Sequence, residues 1–341
     1  MEKIIIHIGM PKTGSTTIQE YLKENKEELY DKGYFIPSFY GSGVNSWPLT
    51  FNFMNENKFQ KKCKRLDHLN LSIKLTQDNL KVFYEKQFSD YKDNHSGKIL
   101  LTSSEDYFGE LKSFNEVSKF KYFLSKFFNQ VEIILYIRNP LSKAISCLSE
   151  DVKKGKVRNE IFKGNNMSIY SYKNLILNWL ECFPKANFKL ALFQTEDLIC
   201  NDLISDFLVK IGLFSSYSPF KKKVKNKSLN FKSILILSEI NKKISAEGRN
   251  LIAKKNLIDL LDTIYLKEPK YHVSSEVCRD YENFFLEEDE WLRENFFREK
   301  CKIWDYSEYL INQENRFILD SYDRLLIDNI ITKSDLYFKI K

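Results

Sequence analysis

Nine residues, Gly9-Met10-Pro11-Lys12-Thr13-Gly14-Ser15-Thr16-Thr17, place two glycines, a lysine and four hydroxyls between an apolar run and a helical pattern. A glycine turn that carries a strand into a helix aims free backbone N–H groups, and the positive end of the helix, at an anion. Nucleotide hydrolases build this turn as GxxxxGK[ST], with the lysine directly after the second glycine and reaching along the β- and γ-phosphates. Here Gly9 and Gly14 keep the spacing, Ser15 stands at the lysine position, and the lysine has moved into the loop as Lys12. From there it projects at a bridging oxygen. A ligand-free turn would need neither the lysine nor the run of hydroxyls.

Two further apolar runs deliver chemistry to the same kind of edge. The run at 98–103 leads into Ser104 and Glu105, and the run at 131–137 ends in Arg138-Asn139-Pro140. Ligands of open parallel sheets sit beyond the carboxyl ends of the strands. No carboxylate closes the second run, so the Mg²⁺-binding acid of nucleotide hydrolases is missing there. Ser146 follows Arg138 on a helix that Pro140 opens at its first position. A guanidinium and a helix hydroxyl together make a fork for two phosphate oxygens. Taken singly, Arg138 also reads as a surface ion pair and Glu105 as a carboxylate favoured by a helix N-terminus. Their convergence on one edge favours a site.

The elements that must hold these residues are short, unbroken apolar runs at 3–9, 98–103, 131–137 and 188–193, with a shorter one at 34–37. Such runs read as parallel strands buried on both faces. Helical patterns fill 16–32, 74–91, 113–128, 140–154, 170–182 and 197–213, and strands alternating with helices predict βαβ units. The expected fold is α/β, three-layered and P-loop-like, with a mostly parallel central sheet and helical C-terminal additions. Helices are expected over 231–261, 275–298 and the tail 312–341. The weakly periodic stretch 37–67 reads as a long functional loop, in which Asn45 and Trp47 could meet an acceptor or, as loop aromatics more often do, pack the loop down.

These motifs resemble the PAPS-dependent sulfotransferase family, especially its bacterial and glycan-modifying members. The matching stretches are HIGMPKTGSTTIQ, LLTSSEDYF and ILYIRNPLSKAISCLSE, followed by FQTEDLICNDLISDFLVKIGL and FFLEEDEWLRENFF. The resemblance implies one sulfotransferase domain over 1–310, with an α/β core to about 215 and a helical part over 228–310, before a helical tail at 311–341. It implies that Lys12, Thr13, Gly14, Ser15, Thr16 and Thr17 hold the 5′-phosphosulfate of PAPS, and that Arg138 and Ser146 hold its 3′-phosphate. It further implies Lys12 as stabiliser of the leaving phosphate and Glu105 as acceptor base, with a carbohydrate or other hydroxyl as acceptor and no metal required. His7 falls inside the first strand and His68, His95 and His272 in polar surroundings, so none competes with Glu105. Lys225, Asn226 and Ser228, in the lysine-rich 221–228 segment, are candidates for closing over the 3′-phosphate or for a solvated face.

Composition narrows the class. The chain has 341 residues, 43% of them hydrophobic, which excludes collagen-like and predominantly disordered proteins. No apolar run approaches the ~18 residues of a membrane span. The six cysteines show no CxxC pair and read as buried free thiols, which points to a reducing cytoplasm. The formal charge of +7 is concentrated in three clusters, at 61–65, 153–158 and 221–227. They could attract an acidic glycan or a membrane surface, or simply be solvated. Nucleic acid is not the expected partner. Two alternatives remain open at this stage: a P-loop kinase of small molecules, which would need Mg²⁺, and a non-catalytic polyanion binder.

Overall fold

The computed structural model describes residues 2–39, 43–69, 76–213, 228–243, 255–265, 268–310 and 319–339. The chain forms two compact units, Met1–Arg138 with Tyr172–Lys223 and Asn139–Ser171 with Val224–Lys341.

The first unit is built on strands β1 (Lys3–His7), β2 (Tyr34–Phe35), β3 (Ile99–Ser103), β4 (Gln130–Ile137) and β5 (Phe188–Leu192). All pair in parallel, in the order β2-β3-β1-β4-β5. Its helices are α1 (Ser15–Glu24), α2 (Lys26–Asp31), α3 (Trp47–Thr50), α4 (Glu56–Lys62), α5 (Gln77–Asn94), α6 (Glu105–Glu110) and α7 (Phe114–Ser125). The chain passes next through α8 (Pro140–Lys153), which belongs to the second unit, and returns with α9 (Lys173–Cys182) and α10 (Leu203–Ile211).

Parallel crossovers are right-handed. The step from β1 to β2 and the step from β3 to β4 run in opposite directions across the sheet, so their helices cover opposite faces. On one face Ile5, Leu101, Ile134 and Tyr136 pack with Ile18 and Leu22 of α1 and with Leu203, Phe207 and Leu208 of α10. On the other, Phe120 of α7 stacks on Tyr107 and meets Trp179 of α9, and Phe88 of α5 meets Phe123 of α7. The architecture is thus a three-layer α/β/α unit whose strands are buried on both sides, as their unbroken apolar runs predict.

The stretch 37–67 differs from the expected loop. It contains α3 and α4, followed by a 3-10 turn over Cys63–Leu69. Leu49, Phe51, Phe53, Met54 and Phe59 are buried there, and Phe53 packs on Phe120 and Phe123. These side chains belong to the core.

The second unit gathers α8 with α11 (Phe231–Lys243), α12 (Lys255–Ile264), α13 (Ser275–Phe296) and α14 (Ser321–Lys339). Asn241 of α11 donates to the carbonyls of Val152, in the last turn of α8, and Lys156, just beyond it, at 2.9 and 3.0 Å. Tail helix α14 is anchored by buried Asp323, which accepts from Tyr265 at 2.7 Å and pairs with Lys232 at 3.2 Å. Cys182 and Cys278 are buried as expected, whereas Cys200 and Cys301 are exposed, contrary to the expectation; all six cysteines are unpaired. Among the described residues no helix is long and apolar enough to cross a membrane.

Candidate functional site

β1 runs apolar to His7 and breaks at Gly9, because a β-carbon there would lie 2.3 Å from Ser15 Oγ. The loop then turns through two left-handed residues, Lys12 (φ 74°) and Gly14 (φ 79°). At Gly14 a β-carbon would meet Leu203 Cδ2 at 2.4 Å, so glycine is required by both conformation and space. Lys12 adopts the same region with a side chain attached. Thr13 is buried and donates its hydroxyl to the Met10 carbonyl at 2.6 Å, closing the loop upon itself. α1 starts at Ser15 with no side-chain cap and no acidic residue in its first turn. Its leading amides and dipole are therefore not offset by a side-chain cap or a first-turn carboxylate, the condition that suits an anion.

The four hydroxyls are placed differently from one another. Thr13 is engaged inside the loop, Thr16 is exposed, Thr17 is half-buried, and Ser15 is buried with its Oγ lacking a hydrogen-bond partner. Arg138, one residue beyond β4, donates from Nη1 to the Lys12 carbonyl at 2.8 Å, and its guanidinium lies 5.6 Å from the Phe193 ring centre. The structure therefore brings Arg138 to the lysine loop, although the two are distant in sequence.

Glu105 opens α6 as an exposed first residue behind Ser104, whose hydroxyl caps Asp106 N at 3.2 Å. The parallel register pairs His7 with Ser103, so Gly9 and Glu105 leave adjacent strands at the same level. Strand spacing in a sheet is about 4.8 Å, which sets the scale of that separation at the sheet edge. β1 leaves toward one face and β3 toward the other, the topology that opens a crevice at strand ends. Ser146 lies half-buried on α8, in the second unit, so its pairing with Arg138 rests on sequence spacing. Lys225 and Asn226 lie outside the described residues, and Ser228 is exposed.

Sequence reasoning set His7 aside as a strand residue. It is fully buried, its Nδ1 lies 2.8 Å from Ser103 Oγ, and Gln19 donates to the same oxygen at 3.4 Å. Burial pushes its pKa down to about 3, so the ring is neutral. The available signal was a histidine placed immediately before the glycine loop. Beside Glu105, Asp106 pairs with Arg65 at 2.9 Å, and that guanidinium lies 4.2 Å from the Trp47 ring centre. Burial raises the Asp106 pKa, against the opposing charge of Arg65.

Of the charge clusters, Lys62 and Arg65 are paired with Glu110 and Asp106. Lys154, Lys156 and Arg158 are paired with Glu150 and Asp151. The lysines at 221–227 lie outside the described residues.

No protein-family model and no curated protein matches the chain. Solved structures do. A sulfotransferase from Alicyclobacillus acidocaldarius aligns at 13% identity and TM-score 0.39, over 75% of this chain and 97% of its own. The sulfotransferase domain of the curacin biosynthetic pathway aligns at 13% identity and TM-score 0.34, over 83% and 98%. A structure of the PezAT chromosomal toxin-antitoxin system of Streptococcus pneumoniae aligns at 15% identity and TM-score 0.31, over 71% and 86%.

Proposed function

We propose that the chain is a sulfotransferase that moves the sulfuryl group of PAPS to an acceptor hydroxyl, with a carbohydrate as the acceptor class. One observation carries this reading above the others: the Arg138 guanidinium donates to the Lys12 carbonyl, which brings a cation to a lysine-bearing glycine loop that leads into a helix N-terminus without a side-chain cap. The residues fit an anionic ester there. Ser15 Oγ is a buried polar atom without a partner at the start of α1, and Gly9 lets the chain pass close against it, since a β-carbon there would lie 2.3 Å from that oxygen.

Bound at this loop, PAPS supplies the sulfuryl group, whose bond to the bridging phosphate oxygen breaks as the acceptor oxygen bonds to sulfur. In this reading Lys12 and the leading amides of α1 stabilise the negative charge that develops on that oxygen. Glu105, exposed at the adjacent strand end, takes the acceptor's proton, a contribution of typically about 10²–10⁴-fold. Arg138, with Ser146, binds the 3′-phosphate and so distinguishes PAPS from ATP. Sulfuryl carries less negative charge than phosphoryl, which removes the need for a divalent metal.

The test is thermal unfolding with adenosine 3′,5′-bisphosphate, compared with ATP in the presence and absence of Mg²⁺. A ligand at a hundredfold excess over its Kd stabilises by about 2.7 kcal/mol. For a domain of 150–250 residues each kcal/mol raises Tm by roughly 2–4 °C. The bisphosphate is expected to shift Tm by this amount without metal. Equal or greater stabilisation by Mg·ATP would overturn the assignment in favour of a kinase. Binding that collapses steeply with salt, without transfer, would indicate a polyanion binder.

A further inference from the structure

We propose that an anion held by the glycine loop completes a directed chain of hydrogen bonds that runs from Gln19 through Ser103 and His7 to Ser15, with His7 as its positioning residue. The proposal rests on the anion-binding reading of that loop.

The chain is drawn in the direction that gives every hydrogen an acceptor. The Gln19 amide nitrogen can only donate, so Ser103 Oγ accepts from it at 3.4 Å. The Ser103 hydroxyl hydrogen is then available for His7 Nδ1, 2.8 Å away. With Nδ1 accepting and the ring kept neutral by complete burial, the imidazole proton sits on Nε2. Tyr136 and Phe207 meet the ring edge-on, with centroids 5.9 and 5.8 Å away, and fix its plane.

Nε2 is buried and lacks a hydrogen-bond partner, and so does Ser15 Oγ. A buried polar group without a partner is costly, so two of them bordering one glycine call for an explanation. They flank the same point: a β-carbon at Gly9 would lie 2.3 Å from Ser15 Oγ and 3.3 Å from His7 Nε2. Glycine at position 9 is what admits both atoms. The two atoms are not hydrogen-bonded to each other in the structure; when Ser15 gives its hydroxyl hydrogen to an anion at the α1 N-terminus, its oxygen is left to accept from Nε2–H. Every donor then points the same way, and each bond polarises the next. The histidine therefore acts through Ser15, without touching the ligand, and favours an acceptor-only group such as a deprotonated phosphate ester.

A double-mutant cycle tests this. Kd is measured for adenosine 3′,5′-bisphosphate and for inorganic pyrophosphate with the wild type, His7→Gln, Ser15→Ala and the double variant. Each single change is expected to weaken binding about tenfold, and the double change by about the same tenfold, because both cut one chain. Losses that multiply to about a hundredfold would overturn the proposal. Ser103→Ala interrupts the chain one link earlier and replaces His7→Gln if that variant does not fold. Independently, ¹⁵N-histidine NMR of the free protein should place the His7 proton on Nε2; a proton on Nδ1 would overturn the proposal without reference to any ligand.

The two readings fail separately. Pyrophosphate binding with the coupled pattern, but no binding of the bisphosphate, keeps the donor chain and removes the sulfotransferase assignment. Binding of both with independent losses does the reverse. Binding of neither removes both.

Discussion

Acidification should destabilise this protein through His7 well before the carboxylates titrate. The folded-state pKa is about 3 against an ordinary 6.5, because burial disfavours the charged ring. Between those values the unfolded chain binds the proton and the folded chain does not, so stability rises with pH across the window and is lost as pH falls from about 6.5. At about 1.36 kcal/mol per pKa unit the full penalty approaches roughly 5 kcal/mol, and about 2 kcal/mol of it accrues between pH 7 and 5. The ring is fully buried, so solvent screening does not reduce this. Urea unfolding at pH 7, 6 and 5 for the wild type and His7→Gln measures the effect as a difference of slopes, which removes the absolute cost of the substitution. Glu116 titrates in both proteins and cancels: burial pushes its pKa up, and bonds from Lys58 and from the backbone of Asn55 and Ser113 outweigh that and leave it lowered. If both proteins lose the same stability between pH 7 and 5, His7 is not held neutral by burial and the reasoning fails.

Three further outcomes are expected. Arg138→Ala should weaken adenosine 3′,5′-bisphosphate binding by roughly 10–100-fold, the range of a charge-assisted hydrogen bond, and leave its affinity equal to that of AMP; retained discrimination, read by calorimetry, would remove Arg138 from the 3′-phosphate. Glu105→Gln should leave Tm unchanged, since the side chain is exposed, and lower sulfuryl transfer to a glycan panel by about 10²–10⁴-fold; full activity on the panel would exclude it as the base. Gly14→Ala should cost about 2 kcal/mol or more in urea unfolding, from a left-handed backbone and a 2.4 Å approach to Leu203; a neutral effect would mean that α10 yields.

The strands were legible because burial on both faces leaves unbroken apolar runs, and their ends fall within two residues of the expected positions. The helix expected over 16–32 breaks at Asn25, whose side chain bonds back to the Tyr21 carbonyl at 2.8 Å and competes with the helical ladder. The 37–67 stretch was misread because α3 and α4 are four and seven residues long, too short for a helical period to register. Lys12 and Arg138 could be chosen from residue type alone, but their contact arises from the β1–β4 register. His7 was invisible as a site residue because its partner, Ser103, becomes its neighbour only through the β1–β3 pairing.

The backbone at Lys12 supplies a test that separates chemistry from packing. A left-handed conformation costs a residue with a β-carbon roughly 1–2 kcal/mol, and Lys12 adopts it at φ 74°. The geometry is imposed from outside: Arg138 holds the Lys12 carbonyl, Thr13 closes onto Met10, and Gly14 continues the left-handed turn. Strained non-glycine positions of this kind concentrate where the side chain has a task. Lys12→Gly would relieve the left-handed cost and add about 0.5–1 kcal/mol of unfolded-state entropy, a net change of between zero and a gain of about 1.5 kcal/mol. Loss of the positioned donor should lower transfer by about 10²–10³-fold. The variant is therefore expected to melt at or above the wild-type temperature while losing transfer. A fall in stability beyond about 1 kcal/mol would mean that the lysine side chain packs the loop, and undiminished transfer would mean that the charge on the leaving oxygen is met by the α1 amides alone.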